Sequence, residues 1–326
     1  MATLKDIAAK CGVSIATVSY IMSGRADEKR ISLETRSLVM KAAEELGYRY
    51  VPKPSRGGPP KIAVFWPQKH LDMLIPSFIR GMNSALCMAA NPVDVNLLPF
   101  EQDFLARHQA LWKKDGYDAA VIVSASMTDL EELSGRQTPN PTVLLNRKLP
   151  GYSSVTIDHE EAGKMAAVQA TERAGSDIML VIPNANLYGA ITRGRAVSET
   201  CMERGVDLSG RVIYCNNDMD DGYAVGQKLL LEKSVPGAII CVYDMTAFGI
   251  ACAMNDAGVR VGEDIDVISM STSYDKPISR IFAGLTVIDL RQTEVSNMGM
   301  NVAIDMAVHR LTEPREHVLH PQLIHR

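Results

Sequence analysis

A chain of 326 residues, 46% of them hydrophobic and with a net charge of −4, is long enough for two or three domains with buried cores. No apolar run reaches membrane-spanning length, and Met1–Gly24 lacks the unbroken apolar stretch of a secretion signal, so membrane and exported classes are excluded and a cytoplasmic protein is expected. Six scattered cysteines (Cys11, Cys87, Cys201, Cys215, Cys241 and Cys252) form no CxxC pair and read as buried free thiols of a reducing compartment.

Residues 1–49 read as a closed three-helix unit. Thr3 caps a first helix, and Asp6 completes a capping box. Ile7, Ala8 and Cys11 follow at helical spacing, and Gly12 supplies the left-handed turn that ends the helix. Val13 is expected buried in the turn, and Ser14 caps a second helix with Val18 and Ile21 inward. Ser32, with Thr35, opens a third helix carrying Val39, Ala42, Ala43 and Leu46 inward. Two helices around such a turn make a helix-turn-helix, whose second helix fits the major groove of DNA. Similar pairs also occur in ordinary bundles. Here residues 1–60 hold ten Lys/Arg against six Asp/Glu, a net of +4 that leaves −8 for the remainder. A basic head on an acidic body is what attraction to phosphate predicts.

Residues 50–61, YVPKPSRGGPPK, hold four prolines and two glycines and read as an extended or mobile tether. Beyond it, β-rich apolar runs at 62–66, 93–98, 119–123, 142–145, 154–157, 178–182, 211–215, 238–243, 266–270 and 285–288 alternate with helical stretches. Those stretches lie at about 77–90, 101–115, 160–174, 188–204, 220–233, 244–257 and 291–310. The alternation predicts an α/β body, 62–326, of two doubly wound lobes with parallel sheets covered by helices. Catalysis finds little support. The chain has no P-loop, GxSxG or HExxH, and its seven histidines form no metal-ligand cluster, so no catalytic residue, cofactor or metal is expected. Asp158-His159-Glu160-Glu161 reads as a strand end followed by acids that complement a helix dipole.

The segment TLKDIAAKCGVSIATVSYIMSG, followed by TRSLVMKAAEELGY, resembles the head of the LacI/GalR family of bacterial repressors. The likeness continues through PGYSSVTIDHEEAGKMAA, DMDDGYAVGQKLL, DMTAFGIACAMNDAGVRVGEDIDVISM and VLHPQLIHR, and so covers nearly the whole chain. It implies a periplasmic-binding-protein-like body. The N-lobe would take about 62–160 plus 291–313, and the C-lobe about 161–290 plus 314–326, with ligand held between them.

The resemblance also implies residue roles. Base edges would be read by Ile15, Ala16 and Tyr20, with Thr17 supporting the turn. Tyr20 stands where the family usually carries a guanine-reading Arg, so recognition is expected to lean on thymine methyls. Ser14, Ser19, Ser23, Arg25, Arg30 and Tyr48 would position phosphates. Thr3 and Leu4, at the start of the first helix, would also belong to the DNA-binding set, and Arg56 in the tether could enter a narrow minor groove. The leucine of the family's hinge helix is missing.

For the effector, Arg193 matches the family's ligand-gripping Arg, with Arg195 as a rival. Leu74 and Asn146 match first-lobe positions. Tyr243 and Ser271 replace the usual Asn and sugar-binding Asp, which leaves room for an effector that is larger, acidic or aromatic-stacked. The function implied is a sequence-specific transcription regulator, a repressor, binding operator DNA as a homodimer under control of a sugar-like or other small metabolite. A solute receptor without a transcriptional role and a sugar-acting α/β enzyme are the alternatives.

Overall fold

The computed structural model describes residues 3–22, 26, 29, 31–46, 48, 58–68, 74–184, 188–271 and 284–324, without the side chains of 33 and 44. In the head, α1 (Leu4–Cys11), α2 (Ile15–Met22) and α3 (Leu33–Glu45) enclose a small core of Ile7, Ala8, Val18, Ile21, Met22, Val39, Ala42 and Ala43. The capping box closes as its spacing requires: the Asp6 amide donates to Thr3 Oγ1, and the Thr3 amide donates to Asp6 Oδ2. Gly12 takes φ 65°, a left-handed conformation open to glycine at no steric cost. The Thr17 amide donates to Ser14 Oγ at 3.0 Å, and the Thr35 amide to Ser32 Oγ at 3.2 Å. Val13, expected buried, is half-exposed at the rim of this core.

The expected tether at 50–57, with Arg56, lies outside the described residues, as do Ser23, Arg25 and Arg30. Gly58, Pro59 and Pro60 lead directly into the first strand, which begins at Lys61.

Among the described residues the body has two six-stranded sheets. In the first, β1 (Lys61–Pro67), β2 (Asp94–Phe100), β3 (Ala119–Val123), β4 (Thr142–Leu145), β5 (Ser153–Ile157) and β11 (Glu316–Leu319) run parallel in the order β11-β5-β4-β3-β1-β2. The second holds β6 (Ile178–Pro183), β7 (Val212–Cys215), β8 (Ala238–Cys241), β9 (Asp266–Ser271), β10 (Thr286–Asp289) and β12 (Gln322–Ile324). Its order is β12-β10-β9-β8-β6-β7, with β12 alone antiparallel. Helices α4 (Ile75–Met88), α5 (Met127–Leu133) and α10 (Gln292–His309) belong to the first lobe; α6 (His159–Ala174), α7 (Tyr188–Glu203), α8 (Met219–Leu231) and α9 (Asp244–Asp256) belong to the second. Both sheets switch direction of winding beside their first strand, which opens a crevice at the carboxyl ends of β1, β3, β6 and β8.

Three differences from the sequence reading have physical causes. The segment 101–115 forms two short 3₁₀ turns, Leu105–Arg107 and Gln109–Trp112, in place of a helix. The Asp129 carboxylate takes the Leu105 amide at 2.9 Å, and the Trp112 indole donates to the Ala106 carbonyl at 2.7 Å, so side chains pin this backbone. Next, α5 is an extra helix, opened by a Ser126–Asp129 capping box. Finally, 314–326 does not belong to the C-lobe as a unit. β11 pairs with β5 and completes the first sheet, and only β12 joins the second. Between them the chain crosses from lobe to lobe, as it also does at Asp158 and at Leu290-Arg291. Among the described residues no helix is long and apolar enough to cross a membrane.

Candidate functional site

Two surfaces carry the predicted residues. On the head, Ser14, Ile15 and Ala16 are exposed at the amino end of α2, with Ile15 49% accessible although large and apolar. An isoleucine left in water while Val18 and Ile21 of the same helix are buried is available to an apolar partner such as a thymine methyl. Thr17 is half-buried and its hydroxyl lies 2.8 Å from Ser14 Oγ, so it braces the turn. Ser19 and Tyr20 are half-buried, and Lys29 Nζ sits 5.1 Å from the Tyr20 ring centroid, bringing a cation beside this face. Tyr48 packs on the head core, Thr3 is exposed and Leu4 is half-buried.

The second surface is a polar cluster where the two lobes meet at the strand ends. Arg193, on α7, is the largest fully buried side chain, at 1% exposure. Its Nε donates to the Val242 carbonyl at 3.1 Å, and its Nη1 lies 3.0 Å from His159 Nδ1. The guanidinium also stacks over the Tyr243 ring, 4.5 Å from the centroid. A guanidinium only donates, so His159 Nδ1 accepts, and the neutral imidazole carries its proton on Nε2. Burial, together with Arg193 and Arg147, holds the His159 pKa well below the ordinary 6.5, so the ring is neutral. Gly189 packs closely here: a Cβ on it would stand 3.0 Å from His159 Nε2 and from Arg193 Nη1. The Tyr188 ring lies edge-on to His159 at 6.1 Å.

From the first lobe, Asn146 and Arg147 extend past the end of β4. Asn146 adopts φ 59° and Ser124, past β3, φ 48°, left-handed conformations that are uncommon outside glycine and that cluster at binding sites. Asn146 Nδ2 donates to Gln292 Oε1 at 2.8 Å. Arg147, 6% exposed, donates from Nε to the Ala125 carbonyl and from Nη1 to the Asn146 carbonyl. Burial lowers its pKa, opposed by the nearby Tyr243 and Tyr188. Asp244, buried at the start of α9, accepts from the Met245 amide and from Ser271 Oγ at 3.2 Å. Leu74 lies half-buried at the entry to α4, against the apolar core.

The fold therefore gathers Asn146, Arg193, Tyr243 and Ser271, and adds Arg147, His159, Asp244 and Gln292, which sequence reasoning left out of the site. The one sequence signal for His159 was its place directly after a strand end, where it read as part of an acidic helix start. Asp158 does cap α6 there, accepting from the Glu161 amide at 2.9 Å. Arg195, the rival cation, is exposed and pairs with Glu199 and Glu160. The fold also assembles a group that the linear sequence does not show: Asp158, Glu161 and His320 have ligand atoms within 4.8 Å of one another. There His320 Nδ1 lies 2.5 Å from Glu161 Oε2, an exposed ion pair that raises the histidine pKa through the hydrogen bond.

Family models match both the head and the body. The model "Bacterial regulatory proteins, lacI family" matches residues 3–50, and "Periplasmic binding protein-like domain" matches residues 169–326. The HTH-type transcriptional repressor PurR of Pasteurella multocida is 24% identical over 349 residues, covering 99% of this chain and 97% of the relative. A LacI family transcription regulator from Clostridium acetobutylicum superposes with a TM-score of 0.77 at 23% identity, over 82% of this chain and 99% of that one. The lac repressor dimer bound to operator and the anti-inducer ONPF gives 0.69 at 19% identity, over 100% and 98%.

Proposed function

For a chain that belongs to the lacI family of bacterial regulatory proteins, we propose a homodimeric repressor that reads operator DNA through Ile15, Ala16 and Tyr20 and releases or grips it according to a small molecule held around Arg193. The protein is a DNA-binding transcription regulator built from a helix-turn-helix head and an effector-binding body, and it works by binding, without catalysis. The carrying observation is that one chain joins a basic head with exposed α2 residues to a two-lobed body with a buried polar cluster between its lobes.

A lone head makes few phosphate contacts, so two heads on two half-sites are needed for useful affinity, and two-fold symmetry supplies them. Exposed Ile75 and Ile79, one helical turn apart on α4, and Leu97 on the edge strand β2 offer apolar surface for a second copy. The proposed location is the cytoplasm, where the operator is. Ligand between the lobes acts through its differential affinity for their two arrangements.

A mobility shift of the full chain against genomic fragments tests this. Sequence-selective binding is expected that weakens steeply between low and high salt. Uniform binding to all fragments, or none, refutes the regulator. Arg193→Gln should keep the shift and lose the response to effector.

A further inference from the structure

We propose that the effector is an anion: a sugar-sized metabolite whose carboxylate or phosphate oxygens are taken by Arg193 and His159. The inference rests on the cluster being the effector site and goes further by naming the ligand's charge. Among the described residues, four side chains there bear a buried polar atom with no protein partner: Arg193 Nη2, His159 Nε2, Gln292 Nε2 and Asn146 Oδ1. The Asn146–Gln292 amide pair offers one free donor and one free acceptor whichever way the two amides are turned. Arg193 Nη2 can only donate. His159 Nε2 must donate as well, because Nδ1 already accepts from Arg193. Donors thus outnumber acceptors, and a neutral sugar, whose every hydroxyl brings a donor of its own, matches that inventory poorly. An oxyanion brings acceptors only and fits it.

The charges agree. Arg147 and Arg193 are both more than nine-tenths buried, and among the described residues no carboxylate lies within ion-pair distance of either. Two carboxylates stand nearby and both are committed elsewhere. Asp244 holds the Met245 amide and Ser271, and Asp129 holds the Leu105 and Ser126 amides. Buried guanidiniums with no carboxylate in ion-pair contact are costly, and a bound anion removes much of that cost. Tyr188 and Tyr243, flanking the pair, supply apolar faces for the remainder of the ligand.

The test is calorimetric titration of the full chain with matched pairs: glucose against glucuronate, gluconate and glucose 6-phosphate, and galactose against galacturonate. At least one acid is expected to bind tenfold or more tightly than its neutral counterpart, and to weaken as salt is raised. The uronate and hexose-phosphate arms separate a carboxylate from a phosphate. Ser271→Asp, which adds a carboxylate beside Asp244 without removing either guanidinium, should cost the acid at least tenfold, whereas Ser271→Asn, of the same size and uncharged, should cost it far less. A neutral sugar binding as tightly as its acid, no binding by any acid, or an acid indifferent to Ser271→Asp overturns the inference. Failure of the underlying reading looks different: ligand binding would survive Arg193→Gln unchanged, or the ligand would bind without altering the operator shift.

Discussion

Lowering the pH from 7 to 5 should destabilise the body through His159, and the size of the effect follows from its surroundings. The ring is buried, accepts from Arg193, and stands close enough to Arg147 to feel its charge, so the folded pKa lies well below 6.5. In the unfolded chain the same ring protonates near 6.5, so below that pH the unfolded state binds the extra proton. Stability from this group is complete above 6.5 and falls as pH drops towards the folded pKa, by about 1.4 kcal/mol per pH unit. At pH 5 the loss is about 2 kcal/mol, or roughly 4–8 °C in melting temperature for a lobe of this size. His320 runs the other way: its raised pKa gives stability that is present at low pH and lost as pH rises through the folded value. Scanning calorimetry of wild type and His159→Gln at half-unit steps isolates the His159 contribution, because every other group is shared. The wild-type curve should fall below the variant's trend between pH 6.5 and 5. Parallel curves would mean that the ring titrates normally and would refute the buried, neutral assignment.

Further outcomes follow from the same geometry. Gly81→Ala would place a Cβ 2.3 Å from the Thr293 carbonyl oxygen and 2.7 Å from the Asn297 amide nitrogen, forcing α4 and α10 apart. Thermal unfolding should show a loss of roughly 1–3 kcal/mol, as for overpacked cores, despite alanine's better helix propensity. Ile15→Ala should leave unfolding within about 0.5 kcal/mol of wild type, since the side chain is exposed, yet weaken specific over non-specific DNA binding by about 1–3 kcal/mol in salt-matched shifts. Among the six free thiols, exposed Cys87 should react with a thiol reagent at once, whereas buried Cys201, Cys215 and Cys241 react only on unfolding; equal rates would contradict the burial.

Local chemistry was legible in the sequence, and long-range convergence was not. Thr3–Asp6, Gly12 and Ser14 act within a few residues of themselves, so the first two helices could be placed to the residue. Central strands such as Ala119–Val123 announce themselves as unbroken apolar runs because both faces are covered. By contrast, β11 and β12 carry alternating, half-exposed residues at sheet edges and gave no such run. The 101–115 stretch has helical composition, but Asp129, from a later helix, captures its backbone. His159 and Gln292 were missed as site residues for the same reason. Their chemistry arises only when the ends of β4, β8 and α7 meet, which no spacing along the chain records.

The chain's last crossing has a consequence for how the protein is made. Residues 316–319 finish the sheet that began at Lys61, and residues 322–324 finish the other, so each lobe waits for the same short tail. On the ribosome neither lobe can complete its sheet until residues 316–324 have emerged, and the pairing of β11 with β5 joins Glu316 to Ser154 from far along the sequence. A truncation at Arg315 would strip an edge strand from both lobes at once. The two lobes of the body are therefore completed together.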